Sequence, residues 1–398
     1  MATRASIGIG IVGAGFLARA RARCYGKASG ASARIVAVAA RTEHSARAYA
    51  AQHGVPRACA SLEELLALDE VDLVDLCVPN HLHRPLAERA ARAGKHVACT
   101  KPLTAYVGQD LDQGASDEEI SGRDRRAMLA VALADAEAMV AAADAAGVQL
   151  MYGENWVYAP AVTRALELVR RSGAAILELR GWECHSGSHS PYAKTWRTSG
   201  GGALVRLAAH PLGAMLFLKR EEGLARDGRP ILPVSVTAEV ADLTRNPALD
   251  GRNTRVATGW RDVENWGCAI VGFSDGSRGV AIGGDDSLGG MESRLELYGS
   301  NCRLKCKLSP HDLLRAYAPD AGVFGDAYVM EKVDSGAGWS TPIPDEDWSS
   351  GQQAMCSAFV AAAARGRPAA ADGRLGLDVV RVLYSAYVSA AEGARVEL

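Results

Sequence analysis

The sequence predicts an α/β protein of two domains, and three observations carry that prediction. At 398 residues the chain is too long for one ordinary hydrophobic core. An apolar run near the start, Ile7 to Val12, closes on a glycine-rich turn followed by a helical stretch. Later runs such as Cys268 to Phe273 and Arg294 to Tyr298 alternate with the period of a half-buried strand. Composition agrees with a folded chain, since 48% of residues are hydrophobic and 23% charged, close to the globular average. A net charge of only -2 provides no field to gather nucleic acid or an anionic membrane, so neither is an expected partner. No leader pattern opens the chain and no run reaches the roughly 18 apolar residues of a membrane span, so a cytoplasmic location is expected. The nine cysteines are then read as reduced and mostly buried, and Cys302 and Cys306, the one close pair, fall on one face of a strand. No metal site is expected.

Taken in order, the first element is the strand Ile7 to Val12. Gly13-Ala14-Gly15-Phe16-Leu17-Ala18 follows, then a helix from Arg19 to Ala28 and a second strand from Arg34 to Ala40. The spacing has a mechanism. Gly13 permits the tight turn, Gly15 lets the backbone approach a pyrophosphate, and the small Ala18 lets the helix sit close on the strand. Phosphates then meet the helix N-terminus, where free N–H groups favour negative charge. NAD is the expected cofactor, with Gly13, Gly15, Phe16 and Leu17 at its phosphates. The end of the second strand should read the ribose, but it carries Ala40-Arg41-Thr42 in place of an acidic residue. Arg41 can pair with a 2′-phosphate or lie solvated on the adenine, so NADP stays open beside NAD, with Arg41 and Thr42 as contacts.

A further strand, Val71 to Val78, ends in Pro79-Asn80-His81-Leu82-His83. The next helix leads through Gly94-Lys95-His96 to a strand closing on Thr100-Lys101-Pro102-Leu103. In this order and spacing the chain resembles the glucose-fructose oxidoreductase / inositol dehydrogenase / MocA (Gfo/Idh/MocA) family. The likeness resumes at Gly366-Arg367-Pro368, Asp372-Gly373, Gly376 and the helix around Tyr387 to Gly393. The resemblance implies a Rossmann domain over 1–150 and a substrate-binding and oligomerisation α/β domain over 151–398, with an open, mostly antiparallel sheet. It also implies cofactor contacts from Pro79, Asn80, His83, Thr100, Lys101, Trp196 and Arg197. Lys101 takes the family's lysine role at the nicotinamide ribose and the reacting hydroxyl, where a desolvated lysine can hold or shuttle the proton of an alcohol. Thr100 stands where the family usually has glutamate, so that carboxylate is missing.

Where the family enters a helix directly after Leu103, this chain inserts 104–126, rich in glycine and acidic residues and without apolar period. It reads either as a tolerated surface loop or, starting so near Lys101, as a lid or subunit contact. An alanine-rich helix from Met128 to Ala146 and a strand from Val148 to Tyr152 follow. The polar stretch Glu183 to Arg197 is unlike a core, and beyond it Gly200-Gly201-Gly202 opens a helix from Ala203 to Leu218. Relatives usually carry an aspartate on that helix and a histidine four residues on, both facing the substrate. His210 fits the histidine as acid/base. Arg206 stands at the aspartate's place, which removes a carboxylate and installs a fixed cation, so an anionic group is expected there. Arg206 can otherwise face solvent or pair with a carboxylate such as Glu154. Lys194, His185 and His189 are candidates to complete the substrate pocket, and Tyr152, Tyr158 and Tyr192 are candidate bases.

Members of the family oxidise a ring hydroxyl of a sugar or cyclitol. Some use the step transiently: a C3 ketone acidifies the C2 proton, the C1 aglycone is eliminated, water adds and the ketone is reduced again. A basic pocket with a modified carboxylate pattern resembles the NAD-dependent sulfoquinovosidases, so the favoured reading is an oxidoreductive glycosidase acting on a sulfonated sugar glycoside. The alternative is an NAD(P)-dependent sugar or cyclitol dehydrogenase with an acidic substrate. Family habit makes the assembly a homodimer or homotetramer.

Overall fold

The computed structural model of the chain describes residues 6–188, 190–310, 314–326, 328–329, 332, 337–342 and 345–398. The chain forms two compact units. One comprises Met1–Ala105, Ala130–Tyr158 and Gly351–Val380; the other comprises Tyr106–Leu129, Ala159–Ser350 and Arg381–Leu398. The sequence reading places a single boundary near residue 150, whereas the folded chain passes between units several times.

In the first unit β1 (Ser6–Val12), β2 (Ser32–Ala39), β3 (Arg57–Cys59), β4 (Leu73–Leu76), β5 (His96–Thr100) and β6 (Leu150–Gly153) are all parallel, in the order β3-β2-β1-β4-β5-β6. The order reverses between β1 and β4, the switch point at which open parallel sheets bind ligands. From Ile7 onward β1 is buried without alternation, as a strand covered on both faces must be. The first helix spans Phe16–Gly26, three residues earlier than the sequence suggests, because Gly15 is its cap. A buried ion pair ties this helix to the sheet: Arg21, 1% exposed, lies with Nε 3.2 Å from Asp75 Oδ2 on β4. Tyr25 Oη donates to the same oxygen at 2.8 Å. Arg21 Nη1 also donates to Gln352 Oε1 at 2.9 Å, which docks the helix Gln352–Arg365 and explains why a late segment belongs to the first unit.

In the second unit a seven-stranded sheet runs in the order β12-β11-β7-β10-β9-β8-β15. Its strands are β7 (Ile176–Cys184), β8 (Pro233–Ala241), β9 (Trp266–Phe273), β10 (Arg278–Gly284), β11 (Glu292–Gly299), β12 (Arg303–Ser309) and β15 (Val396–Glu397). A separate pair, β13 (Ala316–Ala318) and β14 (Gly338–Ser340), joins Tyr317 to Trp339. The pairings in the large sheet are antiparallel, as predicted, except that β7 and β10 run parallel, with Cys184 beside Gly284. Cys302 lies just outside β12 and only Cys306 is on that strand and buried, so the two do not share a strand face.

One face of the sheet is covered by the helix Ala209–Asp227 and the π-helical turn Leu204–Ala208 that precedes it. The single α-helix expected from Ala203 is thus wound differently at its start. The approach is close: a Cβ on Gly283 of β10 would stand 2.6 Å from both Ala203 O and Ala208 N. By length and composition the helical run Trp196–Asp227 could cross a membrane, and 89% of its apolar window is buried inside the protein. The other sheet face presents Trp182, Val280 and the exposed Ile270.

Candidate functional site

The glycine turn after β1 separates what the fold needs from what a ligand would need. Gly13 sits at φ +112, and a Cβ there would lie 2.2 Å from Cys77 O, so the fold itself requires glycine. Gly15 is at φ -82, which any residue adopts, and its Cβ would meet nothing within 4 Å. No intramolecular contact explains the second glycine. As the cap of Phe16–Gly26 it offers no side-chain hydrogen bond, and no acidic residue occupies the first helical turn. The result is a cradle without a Cβ, at a helix N-terminus whose N–H groups no side chain caps, which is what a pyrophosphate needs. Phe16 beside it is 73% exposed, and Leu17 is half-buried. Beyond β2, Arg41 is exposed, while the Thr42 hydroxyl accepts from Ser45 N at 3.2 Å and caps the next helix.

Pro79 and Asn80 follow β4 and remain accessible. His83 does not. It is fully buried, with Nδ1 3.1 Å from Leu103 O and Nε2 3.0 Å from Val78 O, so it joins the loops after β4 and β5 instead of facing a cofactor. Burial pushes its pKa below the ordinary histidine range, against the opposing pull of those carbonyls. The loop so held carries Thr100 and Lys101, both half-buried at the end of β5, and a cis bond joins Lys101 to Pro102. Tyr152 and Tyr158 belong to this unit and are ill suited as bases. Tyr152 is fully buried on β6, and burial drives its pKa well above 10, helped by Glu154 and Cys99. The Tyr158 hydroxyl accepts from Ala371 N at 2.9 Å and its ring packs edge-on against Phe359.

The second unit brings two of the predicted substrate residues to a carboxylate that the sequence did not single out, and a third to the ring beside them. Because β7 and β10 are parallel and in register, the residues just past them, His185 and Asp285, emerge side by side. His185 Nδ1 lies 3.4 Å from Asp285 Oδ1 and accepts from Gly187 N at 2.9 Å. Asp285 is fully buried and pairs with Arg206, whose side chain is 15% exposed. Arg206 therefore answers to Asp285. Its guanidinium carbon stands 5.2 Å from the Trp260 ring centroid, and Lys194 Nζ stands 5.7 Å from the same centroid while donating to Thr258 O at 2.5 Å. Burial raises the Asp285 pKa, and Arg206 opposes that rise.

A second buried carboxylate, Glu264, accepts from Gly202 N at 3.1 Å, Leu204 N at 2.9 Å and Tyr387 Oη at 2.8 Å, capping the turn that carries Arg206. Burial raises its pKa as well. His210 begins the next helical turn, half-buried, in the unit opposite to that of Lys101. Tyr192 is exposed. Trp196 is buried, its backbone N donating to Asp262 Oδ1 at 2.8 Å, and Arg197 donates to Asp117 Oδ1 at 2.5 Å. His189 lies outside the described residues. Among the described residues no group of three or more His, Cys, Asp or Glu could hold a metal ion.

The Gfo/Idh/MocA profile, described as "Oxidoreductase family, NAD-binding Rossmann fold", matches residues 7–115. The 1,5-anhydro-D-fructose reductase of Ensifer adhaerens is 28% identical over 217 residues, 54% of this chain and 56% of that protein. The levoglucosan dehydrogenase of Pseudarthrobacter phenanthrenivorans is 26% identical over 229 residues, 54% of this chain and 52% of that protein. The chain thus spans about half the length of these curated relatives. Among solved structures, GenD2 from gentamicin A biosynthesis in complex with NAD matches at 26% identity and a TM-score of 0.78, covering 100% of this chain and 98% of that one.

The two glycines should respond differently. Gly13→Ala is expected to lower stability by about 1–3 kcal/mol from backbone strain alone, whereas Gly15→Val should leave the Tm unchanged and abolish NAD binding in a fluorescence titration. A stable Gly15→Val protein with native NAD affinity would refute the cradle. At the second site, Asp285→Ala should cost about 3–5 kcal/mol in urea unfolding by removing the carboxylate that the mostly buried Arg206 guanidinium pairs with. Arg206→Met should cost less, because Asp285, its pKa already raised, can take up a proton. The stability of that variant should therefore fall as pH rises through the raised Asp285 pKa, since the unfolded carboxylate loses its proton first. A pH-independent loss in Arg206→Met would contradict the pairing.

Proposed function

We propose that this chain, which carries at residues 7–115 the NAD-binding Rossmann domain of the Gfo/Idh/MocA oxidoreductases, oxidises or reduces one secondary hydroxyl of a sugar or cyclitol. The observation that carries the reading is Gly15: a glycine that no intramolecular contact demands, at an uncapped helix N-terminus on the switch point of a parallel sheet. The likeness to the NAD-bound GenD2 structure over the full chain supports it, as do relatives named as reductases and dehydrogenases of carbohydrates. Bound NAD would take the hydride from the carbinol carbon. Lys101, half-buried and held in place through His83 and Leu103, takes or returns the hydroxyl proton. His210 is the second acid/base, at the start of a helix whose preceding turn is fixed by Glu264. Arg206 is already paired with Asp285, and the Trp260 face beside it offers a platform for a sugar ring. Ile270, Val280 and Trp182, on the open sheet face, supply the surface for a homodimer or homotetramer.

A second reading, hydrolysis of a sulfonated glycoside through transient C3 oxidation, draws support from one feature. Lys194 and Arg206 place two cations at the face of Trp260, where an anionic group would find charged donors.

The two separate in one experiment. With levoglucosan or myo-inositol and stoichiometric NAD, the dehydrogenase reading predicts NADH in proportion to sugar consumed. With 4-nitrophenyl sulfoquinovoside and catalytic NAD in heavy water, it predicts neither phenol release nor deuterium at C2. Lys101→Ala should lower kcat by about 10²-fold or more. Phenol released over many turnovers, with deuterium at C2 and no NADH, would replace this proposal with the glycosidase. Inactivity toward all of these probes with tight NAD binding would remove the carbohydrate assignment.

A further inference from the structure

The insertion after Leu103 is neither irregular nor detached. Ser116 and Glu119 form a reciprocal capping box that starts a short helix, Asp117–Ser121, with Ile120 buried beneath Gly108. Arg123 pairs with Asp110 at 2.9 Å across the loop. From this platform four ties run into the rest of the second unit, and three of them converge on one short segment.

Arg125 lies over the Trp196 ring, its guanidinium carbon 4.5 Å from the centroid, while its own N–H groups donate to Ser121 O and Arg123 O at 2.7 and 3.3 Å. Trp196 is 2% exposed and also packs against Tyr387, at 5.0 Å between centroids. The next residue, Arg197, donates to Asp117 Oδ1 and to Ala115 O. Tyr106 N donates to Tyr384 Oη at 2.6 Å, and that hydroxyl donates onward to Gly200 O at 2.6 Å. The fourth tie, Arg126 to Glu392 in two hydrogen bonds of 2.7 and 2.9 Å, anchors the insertion's C-terminal end.

The segment so gripped, Trp196 to Gly200, runs directly into Gly202, whose N–H is shared between Glu264 and Tyr387, and then into the π turn bearing Arg206. A π turn lacks the regular α-helical ladder, so its setting depends on what holds its entry. We propose that the insertion is a brace for this turn, and that Asp117 and Arg125 are positioning residues that act through Arg197 and Trp196 on the setting of Arg206 and His210. The functional half of this inference rests on the reading that those two residues serve the substrate; the mechanical half does not.

The test uses the full chain with NAD. Asp117→Asn and Arg125→Leu each remove one tie. The Asp117–Arg197 pair is partly exposed, and such a pair or a cation–π contact is worth up to about fivefold in an opening equilibrium. Hydrogen exchange across 196–204 should accelerate about two- to fivefold in each variant and about four- to twenty-five-fold in the double variant if the ties add. Exchange in 16–26 should not change. With levoglucosan or myo-inositol, kcat should fall by a similar factor while NAD affinity stays at the wild-type value. The conservative Asp117→Glu, which keeps the carboxylate opposite Arg197, should retain both kcat and protection, which a merely destabilising change at that position would not do. Unaltered exchange in the double variant overturns the brace. Faster exchange with native kcat overturns the positioning role. If the wild type oxidises no carbohydrate, the proposed function fails and the exchange measurement still decides the brace.

Discussion

The parallel pairing of β7 with β10 is the constraint on which the second site depends. Strands that run in the same direction release their chains at the same edge, so His185 and Asp285 leave the sheet together although 100 residues separate them. The carboxylate set down there is fully buried, and a buried carboxylate needs a partner. Arg206 is that partner, delivered by a turn that passes so close over the sheet that Gly283 can carry no side chain. Strand pairing, close helix approach and the ion pair therefore stand together, and none is independent of the other two.

The electrostatics follow from that arrangement. Asp285 and Glu264 both lie where burial favours their neutral forms, and the nearby Arg206 cation opposes this for each. One guanidinium thus lies within electrostatic reach of two carboxylates, the nearer of which it pairs with directly. The same economy appears in the first unit, where Asp75 receives both Arg21 and Tyr25 and so joins β4 to the first helix.

The parts of the fold and site that were legible in the sequence are those written in local spacing. Gly13, Gly15 and Ala18 mark a strand, a turn and a helix within a dozen residues, and the parallel sheet around them follows from that unit. Lys101 was singled out by motif order, His185 and Lys194 by the polar stretch Glu183 to Arg197, and Arg206 by its place on the helix that follows; the structure brings His185 and Arg206 together at Asp285, and Arg206 and Lys194 together at Trp260. What was not legible depends on burial and on distant pairing. Asp285 and Glu264 carry no local motif, and only the sheet register and the turn at Gly202 bring them into place. Tyr152, Tyr158 and His83 look like chemistry in one dimension, but all three are buried, and His83 and Tyr158 are hydrogen-bonded ties to the backbone, a property of packing and not of residue type. The insertion lacks apolar period because polar caps and ion pairs order it, and periodicity does not register those.

The proposed reaction transfers hydride between the carbinol carbon of a carbohydrate and NAD held at the Gly15 cradle, and isotope transfer tests it most directly. A sugar or cyclitol carrying deuterium on the carbinol carbons, supplied with unlabelled NAD in ordinary water, should yield NADH one mass unit heavier, with the label at C4 of the nicotinamide. NADH formed without that label, or label lost to solvent while the sugar is consumed, would contradict direct transfer and with it this account of the site.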